Sequence, residues 1–201
     1  MPHKPIPHTF THPELSYDAK PNIQPCIKLS FFFNKLPEVS HEHFYRHWQT
    51  VHADLTVATK DFAICNLKRY VQLAPATPKQ IAQTPSLATQ AKTALTGLNV
   101  LEFDGCSEIW VREWGDWMKF FQSPEWITDL NPDSVHFMAL PISVMVGQEN
   151  LIFGKAIEGM GGTDGILEWR EKADGRVQEG EGAMGAAEEG VGAREVRVAR
   201  E

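Results

Sequence analysis

The segment VSHEHFYRHWQTVHADLTVATKDF, residues 39–62, decides how this chain folds. At 3.6 residues per turn its apolar side chains recur on one side, which predicts an amphipathic helix that buries that side. Ser40 stands at the N-cap position, where its hydroxyl can accept a hydrogen bond from a backbone N–H of the first turn. The buried side is predicted to consist of Phe44, Trp48, Val51, Leu55, Ala58 and Phe62.

His52 is the residue of this helix best placed for chemistry. It follows Trp48 by one turn and lies about 80° from the centre of the apolar side, so we expect it where packed and polar surfaces meet. An imidazole with an ordinary pKa of about 6.5 can take up or release a proton at neutral pH. The alternative interpretation is a structural histidine that is hydrogen-bonded to a backbone carbonyl or to Asp54.

Three segments carry a resemblance to a known family. FYRHWQTVHADL, residues 44–55, resembles the aromatic-x-x-x-Trp-x-x-x-His-Ala-x-Leu helix of the EthD family, which belongs to the dimeric α+β barrel superfamily. LEFDGCSEIWVREWGDWMKFFQSPEW, residues 101–126, is similar to that family's third strand and second helix, and PISVMVGQENLIFG, residues 141–154, to its closing strand. The resemblance implies a homodimer of the polyketide-tailoring type found in fungi, which works without a cofactor.

The predicted strands and helices follow the order βαββαβ. A helix after the first strand and another after the third is the split βαβ pattern of ferredoxin-like folds, an α+β class whose antiparallel sheet carries its helices on one face. Several strand residues are apolar on both faces, so the uncovered face predicts a second copy packed against it, which gives a dimeric α+β barrel. The strands are predicted at residues 26–34, 66–74, 103–113 and 141–153, with the second helix at 115–130.

Composition divides the chain of 201 residues into three parts. Residues 1–25 are rich in proline and predict an extended arm, and residues 158–201 predict a flexible Gly/Glu-rich tail. The family resemblance assigns an EthD-like barrel domain to residues 26–157 between them. Proline also punctuates residues 75–98, an insertion that we interpret as a lid. The net charge of −7 lies mostly in the tail.

Several classes of function lack their signatures. The nearly neutral body has no basic patch with interleaved aromatic residues, which excludes nucleic acid as a partner. No apolar run reaches the ~18 residues of a membrane span, and the N-terminus lacks the apolar region of a signal peptide, so we expect no membrane partner and a cytoplasmic protein. Cys26, Cys65 and Cys106 are widely spaced in apolar surroundings, which favours reduced thiols in the core.

Cofactor and metal binding are not expected either. The chain has no phosphate-binding Gly-x-x-x-x-Gly-Lys-Ser/Thr loop, no Gly-x-Ser-x-Gly and no Cys-x-x-Cys. Of its clustered histidines, only His43 and His47 share a helix side at chelating spacing, and no His-Glu-x-x-His motif is completed.

Two tyrosines and two aromatic helix residues are further candidates. Tyr45 on the helix and Tyr70 on the second strand can each hydrogen-bond an enol or a carboxylate, so both are catalytic candidates beside His52. Phe44 and Trp48 are candidates for an aromatic wall that binds a flat substrate, although aromatic residues at this spacing are also typical of core.

The third predicted strand places polar residues on one face. Asp104, Glu108, Trp110 and Arg112 share that face with Cys106 and are candidates for substrate binding on a polar pocket floor. The alternative is a sheet edge or a dimer-facing surface, with Asp104 as a turn residue.

We expect a lyase of the decarboxylase or dehydratase type that acts on an aromatic polyketide intermediate, with His52 as the acid/base and no cofactor. In a decarboxylation, a protonated His52 would quench the enolate that remains after loss of carbon dioxide. One alternative is a cofactor-independent monooxygenase in which His52 removes a phenolic proton. Another is a non-catalytic polyketide-binding protein.

Overall fold

A four-stranded antiparallel sheet forms the centre of the protein. The computed structural model describes residues 6–74 and 101–170. Its strands lie in the order β2-β3-β1-β4, and every neighbouring pair is antiparallel. Helices follow β1 and β3 along the chain, so the ferredoxin-like α+β class predicted from the sequence is confirmed. The strands are β1 (Ile27–Lys35), β2 (Arg69–Leu73), β3 (Gly105–Val111) and β4 (Met138–Gly147).

The helices form two interrupted runs, and each run contains a π-helical turn. Ser40 caps the first run, because its Oγ accepts a hydrogen bond from the backbone N–H of His43 at 3.2 Å. The first run comprises α1 (His41–His47), the π-turn Trp48–His52, α2 (Ala53–Ala58) and α3 (Lys60–Ile64). The second comprises α4 (Trp114–Phe121), the π-turn Trp126–Leu130 and α5 (Asn131–Ser134).

The core lies between the helices and one face of the sheet. Leu29 of β1 and Ile109 of β3 are paired in register and pack against Trp117 and Phe120 of α4. Phe33 of β1 packs edge-on against Trp48, with ring centroids 5.2 Å apart. The β-carbon of any other residue at Gly105 would lie 3.0 Å from both the Phe33 and the Trp48 rings, so glycine allows this close approach.

The opposite face of the sheet is partly covered by the chain itself. Met160 is buried beside Cys26 and Trp110, whose side chains lie on that face. The N-terminal arm supports this layer, since Asn22 Nδ2 donates hydrogen bonds to the backbone oxygens of Leu151 and Thr163. An isolated parallel bridge joins Phe153 to Ile166.

This arrangement differs from two expectations. Residues 158–170 belong to the predicted flexible tail, yet Met160 in this segment is buried and packs against Trp110. The fourth strand ends at Gly147 instead of continuing to residue 153, because the following segment pairs with the arm through Ile23 and Asn150. The insertion interpreted as a lid, residues 75–98, and the end of the chain from residue 171 lie outside the described residues.

All three cysteines of the chain lie among the described residues. Cys26, Cys65 and Cys106 are buried and form no disulfide, as predicted. Across residues 6–74 and 101–170, no helix has the length and apolar character needed to cross a bilayer.

Candidate functional site

The first π-turn brings His52 into the protein interior. The periodicity of the sequence placed Val51 in the buried stripe, yet Val51 is 45% exposed, whereas His52 is 8% exposed. A π-turn holds one more residue than an α-helical turn, so it shifts the inward-facing positions by one place along the chain. For the same reason Thr56 is buried and Ala58 is exposed.

Asp133 joins two histidines of the first helical run. Its Oδ2 lies 2.9 Å from Nδ1 of His52, and its Oδ1 lies 2.8 Å from Nε2 of His47. A carboxylate can only accept hydrogen bonds, so both of these ring nitrogens carry a hydrogen. His52 is thereby held in the tautomer that leaves the lone pair on Nε2 available to a ligand.

Asp133 was not a candidate from the sequence. Asp54, the partner considered there, is exposed and makes no hydrogen bond to His52 among the described residues. The second π-turn and α5, with Pro132 in its first turn, present Asp133 to the first helical run. The sequence feature that could have identified Asp133 is a polar cluster that interrupts an apolar segment just before the last strand, namely Asn131, Asp133 and Ser134.

A cavity of about 320 Å³ lies between the sheet and the helices, and His52 forms part of its wall. Most of the wall is aromatic or aliphatic. Among the described residues, no Asp, Glu, Lys or Arg side chain lines it. The polar residues on the wall are His52, Thr56, Tyr70, Ser107, Asn131 and Ser134, and the larger apolar ones include Phe31, Phe33, Trp117, Phe121, Trp126 and Ile142.

Tyr70 is the second predicted catalytic residue that reaches this cavity. Gln72 Nε2 donates hydrogen bonds to the Tyr70 hydroxyl oxygen at 2.8 Å and to the backbone oxygen of Trp48 at 2.9 Å. Burial raises the pKa of Tyr70, although hydrogen bonds to its oxygen oppose the shift. The phenol therefore keeps its proton at neutral pH and can donate it to a ligand oxygen.

The surroundings of His52 favour its neutral form. Burial lowers the pKa of His52 below its ordinary value, and this effect exceeds the opposing hydrogen bond and charge of Asp133. The charge of His47 lowers the His52 pKa further. Phe137 is fully buried and contacts both imidazoles, with ring centroids 5.0 Å from His47 and 5.1 Å from His52. At neutral pH His52 is thus suited to accept a proton.

Three other candidates from the first helix lie in the core, apart from the cavity wall. Phe44 and Trp48 are fully buried against Phe33. The Tyr45 hydroxyl donates a hydrogen bond to the backbone oxygen of Asp104 at 3.0 Å. Burial, together with the nearby Asp104 charge, raises the pKa of Tyr45 to about 12.

The four candidates of the third strand do not line the cavity. Asp104 accepts a hydrogen bond from the backbone N–H of Lys35 at 3.0 Å, and its other oxygen lies 3.1 Å from Nε2 of His41. Arg112 is mostly exposed, and its Nε lies 3.6 Å from Oδ2 of Asp116.

Glu108 and Trp110 point to the opposite face of the sheet. Glu108 Oε1 lies 2.7 Å from Lys28 Nζ, and the Trp110 ring lies 4.8 Å from the charged groups of both Lys28 and Arg69. The strand that was predicted to form a pocket floor instead contributes Ser107 and Ile109, from its other face, to the cavity.

Metal binding has no visible basis in the part of the chain that the structure describes. There, no group of three or more His, Cys, Asp or Glu side chains is arranged to hold a metal ion.

The fold and the site define a class of protein, namely a ferredoxin-like α+β domain with a His–Asp pair on the wall of a largely apolar cavity. Residues 36–141, more than half of the chain, match the sequence model of the EthD domain. The chain therefore belongs to the EthD family. No curated protein matches it.

Solved structures with a similar arrangement are distant from this chain in sequence. An EthD family protein from Bacillus halodurans C-125 is 16% identical over 62% of this chain and 98% of its own, with a TM-score of 0.41. A protein described as a member of the DABB family with a ferredoxin-like fold, from Mesorhizobium loti MAFF303099, is 9% identical over 61% and 94%, with a TM-score of 0.40. A dimeric ferredoxin-like protein of unknown function from Thermobifida fusca YX is 14% identical over 70% and 99%, with a TM-score of 0.38.

Proposed function

We propose that the protein is a cofactor-independent lyase of the dehydratase type, in which His52 is the general base. The substrate we propose is an uncharged, flat aromatic polyketide intermediate. One observation carries the proposal: the His52–Asp133 pair stands on the wall of a largely aromatic and aliphatic cavity whose described lining contains no Asp, Glu, Lys or Arg side chain. A cavity of about 320 Å³ is in the range of small-molecule sites.

The proposed reaction uses only groups on the cavity wall. The lone pair on Nε2 of His52 removes a proton from the carbon next to a substrate ketone, and the C–H electrons move onto the ketone oxygen. The Tyr70 hydroxyl donates a hydrogen bond to that developing negative charge. The enolate then re-forms the ketone and expels the β-hydroxyl group, which takes the proton back from His52 and leaves as water. A C=C bond replaces the broken C–H and C–O bonds, and His52 returns to its neutral form.

Two features favour dehydration over the decarboxylation considered from the sequence. A β-keto acid would bring a carboxylate into the cavity, yet no Arg or Lys lies on the described wall to pair with it. Quenching the enolate after loss of carbon dioxide also requires a protonated His52, whereas burial lowers the pKa of His52. A neutral base and a neutral substrate suit this environment better.

A cofactor-independent monooxygenase is the second candidate. The same base would remove a phenolic proton, and the resulting carbanion would add to dioxygen. The peroxide takes the proton back from His52 and then loses water, which leaves a carbonyl group on the substrate carbon. The apolar wall supports this alternative, because dioxygen is itself apolar and needs no charged binding group. A binder without catalytic activity would use the same cavity but would not need His52.

We also propose a homodimer that forms through β4 and the sheet surface beside it. Val144, Met145 and Val146 are 50%, 62% and 50% exposed, and because strand residues alternate, this edge strand presents apolar surface on both faces of the sheet. Met160 already covers the sheet near Trp110, so the contact with a second copy would be confined to the β4 side. Sedimentation of the full chain at micromolar concentration tests this, and a 22.6 kDa species would contradict it.

The test of the function compares the wild type with His52→Ala and His43→Ala. His43 belongs to the same helical run but is exposed and makes no contact with Asp133 among the described residues. Each protein is incubated with aromatic β-hydroxyketones, with and without dioxygen, and the products are identified by mass spectrometry. We expect loss of water under both conditions, a rate ~10²- to 10⁴-fold lower for His52→Ala, and no change for His43→Ala.

Oxygen insertion that stops without dioxygen would select the monooxygenase instead. Substrate binding that survives in a folded His52→Ala variant, with no turnover by the wild type, would select the binder.

A further inference from the structure

Asp133 is shared by two histidines, and only one of them lines the cavity. The His47 side chain is 20% exposed and the Asp133 side chain 10% exposed, so the carboxylate lies between a buried imidazole and one that reaches the solvent. His47 also stacks on the exposed His43, with ring centroids 6.0 Å apart and an interplanar angle of 23°. The dehydration proposed above uses His52 and Asp133 but gives His47 no role.

We propose that His47 is a positioning residue that sets the basicity of His52 through their common carboxylate. This inference rests on the proposed function, in which His52 is the base. His47 acts in two ways: it orients the carboxylate toward His52, and its own charge state decides how much of the Asp133 charge is left for His52.

The orienting role follows from the hydrogen bonds. Nε2 of His47 donates to Oδ1, and this second contact fixes the rotation of the carboxylate so that Oδ2 stays on Nδ1 of His52. The Phe137 ring contacts both imidazoles and limits their movement. With one donor missing, the carboxylate could rotate about its Cβ–Cγ bond and His52 would lose its defined tautomer.

The electrostatic role follows from a count of charges. One carboxylate carries one negative charge, whereas the two imidazoles together can carry two positive charges. While His47 is neutral, the charge of Asp133 stabilises a proton on His52. Once His47 is protonated, the carboxylate is already neutralised, and a further proton on His52 would leave a net positive charge in an apolar environment. The base is therefore weakened whenever His47 takes up a proton.

The titratable neighbours of this group are few among the described residues. Asp133 faces both imidazoles, and His43 faces His47 from the preceding helical turn. Phe137, which packs against both imidazoles, carries no charge.

The experiment titrates the histidine ring signals of the full chain by NMR without substrate, in the wild type, His47→Gln and His43→Gln. Glutamine at position 47 can still donate a hydrogen bond to Asp133 but cannot be protonated. We expect the His52 pKa to rise by roughly 0.5 to 1.5 pH units in His47→Gln, because a like charge is removed. In His43→Gln the His52 pKa should stay at its wild-type value. The acid limb of kcat/KM should shift to higher pH by the same amount in His47→Gln.

The wild-type titration provides a second readout if His47→Gln does not fold. The His52 signal should then show two inflections, one for its own protonation and one for that of His47. A single inflection in the wild type, or an unchanged His52 pKa in a folded His47→Gln variant, would overturn the proposal. Because these signals are read without substrate, they remain informative even if His52→Ala keeps full activity, an outcome that would reject only the proposed function.

Discussion

His52 and Asp133 are 81 residues apart in the chain, yet Nδ1 of the first lies 2.9 Å from Oδ2 of the second. The two residues come from different helical runs: His52 is the last residue of the first π-turn, and Asp133 lies in the short helix that follows the second. This contact fixes the tautomer of a buried histidine and places a counter-charge beside it, which suits His52 for the role of base that we propose.

Replacing Asp133 with asparagine should lower turnover and move the pH profile in a definite direction. Asp133 raises the His52 pKa through its hydrogen bond and its charge, whereas burial lowers it. Without the carboxylate the pKa of His52 falls further, so the acid limb of kcat/KM should move to lower pH. The rate at neutral pH should fall by about 10²-fold, because the tautomer is no longer held. Asp129→Asn, an exposed change in the neighbouring π-turn, is the control, and it should change neither the rate nor the acid limb of kcat/KM.

Removing the hydroxyl of Tyr70 should slow the chemical step. Tyr70→Phe deletes the donor assigned to the enolate oxygen, and we expect kcat to fall by about 10²-fold with little change in KM. The matched control is Tyr45→Phe, which deletes a phenol that donates to the Asp104 backbone oxygen instead of reaching the cavity. Tyr45→Phe should leave kcat unchanged and cost about 1 kcal/mol of unfolding free energy. Equal kinetic effects of the two variants would contradict the assignment of Tyr70.

Adding a methyl group at Gly105 should destabilise the fold. Its β-carbon would lie 3.0 Å from the rings of Phe33 and Trp48, so these buried side chains must shift. We expect the free energy of unfolding, measured by chemical denaturation, to fall by about 1–3 kcal/mol. Gly115→Ala is the control, because a β-carbon there meets only Glu113 Oε1 at 3.7 Å and the residue lies in a helix. The free energy of unfolding of Gly115→Ala should rise by about 0.5–1 kcal/mol. A similar decrease in both variants would count against the packing described for Gly105.

The segment beyond residue 157 should contribute to stability. Met160 is 5% exposed and packs on Trp110, so Met160→Ala should cost about 2–5 kcal/mol. Leu167→Ala removes a side chain of the same segment that is 51% exposed, and it should change stability by no more than about 0.5 kcal/mol. Deletion of residues 158–201 should likewise lower the melting temperature. An unchanged melting temperature would instead support the sequence-based prediction that this segment is a flexible tail.

Much of the fold could be predicted because it depends on local patterns. The N-cap at Ser40, the amphipathic first helix and the βαββαβ order all follow from spacing and residue type within short windows of the chain. The family resemblance of residues 44–55 directed attention to His52, which does line the cavity. Tyr70 was proposed because a phenol on a strand can hydrogen-bond an enol or a carboxylate, and Tyr70 lines the cavity as well.

The periodicity of the sequence could not predict which side chains of the first helix and the third strand point into the protein. A regular 3.6-residue repeat cannot anticipate the π-turn, so Val51 was expected inside and His52 only at the boundary. The polar face of the third strand posed a similar difficulty. Alternation assigns Glu108 and Trp110 to one face, but it does not say which face packs against the helices.

The amino-acid sequence was sufficient for the fold class and the family, because these depend on residue type and spacing along the chain. The tertiary structure alone decided the partner of His52, the uncharged cavity and the docking of Met160 on Trp110. Each of these is a contact between residues far apart in the chain, and such contacts leave no periodic signal in a single sequence. Asp133 becomes part of the site only when two helical runs pack on the same face of the sheet.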